Sequence, residues 1–91
     1  MSTYRQSIIR SVTDKLQEAY PDYPLTLIPD PDDDATFFVY TFCVPDDKTY
    51  KVTASMRRFI AANLKDYLYE FDFIPSVKSM SVTREHYPDK I

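Results

Sequence analysis

The chain has 91 residues, a formal net charge of -3, 44% hydrophobic and 15% aromatic residues, and no glycine. That content is too apolar for a disordered segment and sets one domain over residues 1–91. The missing glycine excludes the phosphate-cradling loop, the dinucleotide fingerprint, the EF-hand turn and the strained serine elbow, all of which need glycine backbone.

From the start of the chain, Ile8, Ile9, Val12, Leu16, Ala19 and Tyr20 recur at three- and four-residue intervals, and Thr3 and Gln6 have the spacing of a capping box. The pattern predicts an amphipathic helix over residues 3–20, stopped by Pro21 and Pro24. Leu25, Thr26, Leu27 and Ile28 follow as a short candidate strand. Asp30-Pro31-Asp32-Asp33-Asp34 reads as a turn, and the aromatic and β-branched run over residues 35–44 as the clearest strand. A hairpin loop is expected at Pro45-Asp46-Asp47-Lys48, with a returning strand over residues 49–53. Ile60, Leu64, Tyr67, Leu68 and Phe71 suggest a second helix over residues 55–71. Alternation over residues 76–84 suggests a last strand, and residues 85–91 a loose tail.

The expected fold is therefore α+β in two layers, a small antiparallel sheet of three or four strands with two helices on one face, in the order α-(β)-β-β-α-β. Both faces of the central strand are apolar: Phe38, Tyr40, Phe42 and Val44 alternate with Phe37, Val39, Thr41 and Cys43. A sheet with one solvated face would alternate apolar with polar residues, so the second face needs a cover. Either a terminal segment of this chain supplies it, or Phe37, Val39, Thr41 and Cys43 form a protein interface.

Acid is confined to residues 20–50, which carry seven Asp against Lys48 alone. If the second helix starts at Ser55, Arg57 and Arg58 occupy its first turn while Asp66, Glu70 and Asp72 lie toward its end, an inversion of the order the helix dipole favours. Lys51, Ser55, Arg57, Arg58 and Lys65 are accordingly a candidate patch for an anion or an acidic partner. The competing reading pairs those arginines with this protein's own Asp-rich turns.

Other chemistry finds little support. The Asp30-Asp34 cluster lacks the downstream glutamate of a calcium loop, Thr41 standing at that position, so a solvated acidic turn is the preferred reading. One Cys and one His cannot supply a structural zinc set; His86, beside Glu85 and Tyr87 in the tail, reads as a surface histidine, and Cys43 lies in the apolar strand with no residue near it in sequence to activate it, so no catalytic residue, metal or cofactor is assigned. A basic balance for nucleic acid is missing. With no signal-like apolar run at the start and a single cysteine, the chain reads as cytoplasmic with no membrane segment. The resulting expectation is a small, acidic, non-enzymatic module that binds another protein or itself as a homodimer. The alternative is a nucleic-acid or phosphate-ligand binder using the patch at the second helix.

Overall fold

Apolar residues spaced by four in the first segment close into α1 (Thr3–Ala19), whose Val12 and Leu16 are buried. The computed structural model describes residues 3–91. α1 ends without a left-handed cap: Tyr20 N donates to Leu16 O at 2.9 Å, and the Gln17 amide donates to the carbonyls of Tyr20 and Tyr23. A side chain thus satisfies carbonyls that a glycine turn often satisfies with backbone.

β1 (Leu25–Asp30) and β2 (Asp33–Val44) form an antiparallel hairpin closed by the Asp-rich turn. The Asp30 carboxylate accepts from Asp32 N and that of Asp33 from Ala35 N, both at 2.9 Å, so the carboxylates brace the turn from within. The hairpin therefore sits one connection earlier than the sequence suggested. Pro45 instead leads through a 3-10 turn (Asp46–Lys48) into α2 (Thr49–Asn63), and the expected strand over residues 49–53 is the start of that helix. Val52, Met56 and Ile60 form its buried stripe, a four-residue repeat that begins well before Ile60 and outweighs the strand-favouring Thr49, Tyr50, Val52 and Thr53.

α2 stops at Asn63 rather than near residue 71, and a 3-10 turn (Lys65–Tyr67) leads to β3 (Asp72–Ser79). Phe71, which had extended the helical stripe, belongs with Phe73 to the sheet side of the core. Phe71 and Phe73 lie 5.6 and 5.8 Å from the Phe37 ring. A helical crossover returns the chain to the end where β2 began, so β3 runs parallel to β2. The α+β arrangement of helices on a small sheet is the one expected, but the sheet is mixed, in the order β1-β2-β3, and the element order is α-β-β-α-β-α.

The final expected strand divides: only its first part is β3, and Met80–His86 forms α3. Ser79 caps α3 by accepting from Val82 N at 3.1 Å. Beyond α3 the chain forms a 3-10 turn at Pro88–Lys90 and sets the Tyr87 ring 5.1 Å from Phe42.

α1 and α2 cover one sheet face, and the core between comprises Val12, Leu16, Leu27, Phe37, Val39, Val44, Val52, Met56, Ile60, Leu64 and Phe73. Phe37, Val39 and Thr41 are all 0% exposed within this layer. This chain's own helices cover that face, so these three side chains belong to the core. No helix among the described residues is long and apolar enough to cross a membrane.

Candidate protein-contact face

The second sheet face is covered over only part of its length. Tyr40 and Phe42 point away from the helical layer, and Tyr87 packs edge-on to Tyr40 at 6.3 Å and against Phe42 at 5.1 Å. Lys78 Nζ lies 4.6 Å from the Tyr40 ring centre and Lys90 Nζ 5.5 Å from that of Phe42, so two cations border this aromatic cluster. Phe42 is consequently buried at 2% exposure.

Cys43 holds the cover in place. Its φ of 63° turns the chain where the β2–β3 register shifts, so its side chain leaves the set of Phe37, Val39 and Thr41 with which simple alternation groups it. Its Sγ donates to Lys90 O at 3.4 Å and its backbone N donates to Thr83 Oγ1 at 3.0 Å. Thr83 in turn donates to Ser79 O at 2.7 Å. On the connection below, the Asp46 carboxylate accepts from the Ser81 hydroxyl and amide, which hold its pKa below the usual aspartate range.

Toward the hairpin the cover ends. Phe38 pairs with Ile28 on one side and with Ile74 on the other, which places the three side chains in one row across the sheet. Ile28 is 38% exposed and Ile74 42%, with Phe38 half-buried between them. The row beside it, Thr26, Tyr40 and Ser76, adjoins the Lys78 ammonium. On the opposite side, toward the hairpin, stand Asp72, exposed two residues before Ile74, and the Asp-rich turn between β1 and β2. The open patch is therefore apolar in the middle, acidic toward the hairpin and basic toward α3.

Of the basic patch expected on the second helix, Lys51, Ser55, Arg57 and Arg58 all lie on α2. Arg57 and Arg58 fall in the middle of α2, not in its first turn, so the inverted charge order no longer exists. The Ser55 hydroxyl is engaged with Tyr20 OH at 2.8 Å, tying α2 to the end of α1. Lys65 lies past the end of the helix. Lys51, Arg57 and Arg58 are exposed, and among the described residues no carboxylate reaches ion-pair distance of either arginine. Arg57 borders an open groove of about 510 Å³ with Thr49, Tyr50, Thr53, Ala54 and Val77, a lining with one charge and no nucleophile beyond threonine and tyrosine hydroxyls.

His86 is exposed, 3.8 Å from the Glu85 carboxylate. No three His, Cys, Asp or Glu side chains among the described residues converge as a metal set. No family model, curated protein or solved structure matches the chain. The signal that sequence reading missed is the pairing of Ile28, Phe38 and Ile74: each stands in a different element, and only the register makes them neighbours.

Proposed function

We propose that this protein is a small cytoplasmic, non-enzymatic interaction module, an adaptor, regulator or accessory subunit that docks a protein partner on the open half of its outer sheet face. The observation that carries this reading is the contiguous row Ile28, Phe38 and Ile74, with both isoleucines more than a third exposed beside a half of the same face that the chain covers itself. A contiguous apolar patch with a polar rim is the usual anatomy of a contact surface. The cover over Phe42 supports it, since the chain supplies an aromatic lid where one is needed and leaves this row bare.

A photo-crosslinking residue placed at Ile28 or Ile74, in cells expressing the otherwise unaltered chain, is expected to give discrete protein adducts. The same residue at Ala61 or Ala62, exposed on α2, is expected to give none. Adducts from α2 with none from the sheet face would transfer the contact to the surface that carries Arg57 and Arg58. Binding to heparin that weakens with salt and is lost in Arg57→Gln/Arg58→Gln would favour a phosphate or nucleic-acid ligand there.

A further inference from the structure

We infer that the occupant of the open sheet face is a second copy of this chain, related by a two-fold axis that runs across the strands along the Ile28, Phe38, Ile74 row. This rests on the docking-face reading above and names its partner. An isologous contact needs a patch complementary to itself. When two sheets meet face to face with their strands aligned, their two-fold axis lies in the plane between them and runs close to either along the strands or across them.

The distribution of charge chooses between these axes. An axis along the strands sets acid over acid, the Asp72 end of one copy against the Asp-rich hairpin end of the other. An axis across the strands keeps each strand opposite its own counterpart and reverses its direction. Asp72 and Lys78 both belong to β3, on either side of Ile74. Their distances from the row are comparable: Asp72 is two residues from Ile74, about 7 Å of strand, and the Lys78 ammonium leans back over Tyr40, in the register row two residues the other way. In this arrangement Asp72 faces the partner's Lys78, the partner's Asp72 faces Lys78, and Ile74 meets its own copy.

Shape selects the same axis. α3 and the Pro88–Lys90 turn raise one end of the outer face, while Ile28 and Ile74, nearer the hairpin, are exposed. With the axis across the strands, each raised end settles beside the partner's hairpin end. With the axis along them, the two copies of α3 collide. The apolar centre is only three residues wide, which fits a dimer of micromolar affinity better than an obligate one.

Sedimentation equilibrium over micromolar to millimolar concentration tests the inference. The unaltered chain is expected to dimerise reversibly. Asp72→Lys alone and Lys78→Asp alone are each expected to weaken the dimer by about tenfold or more through like-charge contact, and the two together to restore it. Near-UV circular dichroism checks that each variant keeps its fold. In a Cys43→Ser background, Ile74→Cys is expected to couple to its own copy through a short bis-maleimide. A mixture of Ile28→Cys and Ile74→Cys chains is expected to give like-with-like links, and links between the two would overturn the axis. A strict monomer at millimolar concentration, or a dimer indifferent to both charge changes, overturns the second copy as occupant. If the chain is monomeric while photo-crosslinks at Ile28 and Ile74 still capture a different protein, only this inference fails; if those adducts are absent too, the docking face falls with it.

Discussion

Cys43 adopts φ 63° in a chain that has no glycine. The left-handed region costs a residue bearing a Cβ roughly 1–2 kcal/mol. Here the surroundings hold it: Thr83 accepts the Cys43 amide, and the thiol reaches the Lys90 carbonyl. Cys43→Gly relieves the steric cost but gains backbone freedom in the unfolded chain, so its stability in urea is expected to stay within about 1 kcal/mol of the unaltered protein. Cys43→Val, β-branched at positive φ, is expected to lose about 1–2 kcal/mol or more. Equal stability of the two variants would show that the backbone conformation at this position carries no cost. Nothing in the local sequence marks Cys43 for this role, since it sits in an aromatic and β-branched run that reads as continuous strand. The distant Thr83 and Lys90 determine it.

Among the elements, α3 shows most plainly how a distant contact overrides a local pattern. Residues 76–84 alternate small polar with larger side chains and read as a strand, yet the helix begins at Met80, where Ser79 caps it and Asp46 takes the Ser81 amide. Asp46 lies 35 positions away in sequence from Ser81, so a local window sees only half of this cap. The sign of its acid response follows from its depressed pKa. The Asp46 contribution is present above the unfolded aspartate value of about 4 and is lost as pH falls through the lower folded value. The Tyr87 ring signals in NMR are expected to hold steady above that range and to move toward unpacked values below it. In Asp46→Ala they are expected to be displaced already at neutral pH, and a response to acid equal to that of the unaltered chain would remove Asp46 as the latch. Asp33, held low by the Ala35 amide and the Thr36 hydroxyl, gives the β1–β2 turn a response of the same sign. α2 was displaced in a simpler way. Its stripe begins at Val52, but Leu64, Tyr67, Leu68 and Phe71 continue a helical spacing past its end, and Phe71, like Phe73, instead packs its ring against Phe37.

For the molecule as a whole, the consequence is a sheet whose two faces have different work. Phe37→Ala, on the face beneath α1 and α2, is expected to cost about 3–5 kcal/mol in chemical denaturation. Ile28→Ser with Ile74→Ser, measured at concentrations where the chain is monomeric, is expected to cost about 1 kcal/mol or less, because both side chains are already partly in water. Similar losses from both faces would mean that the open row belongs to the core. From the sequence alone came the α+β class, α1, strands near residues 25–28 and 35–44 with an acidic turn between them but not their pairing as the hairpin, and the fact that both faces of β2 are apolar. These rest on periodicity, proline and propensity, all of which act over a few neighbouring residues. Only the tertiary structure decided which face the helices cover, that β3 runs parallel, that the chain folds its own end over Phe42, and that Ile28, Phe38 and Ile74 meet in one row. Each of those depends on strand register and on the direction of a crossover, properties set by contacts between residues far apart in the chain.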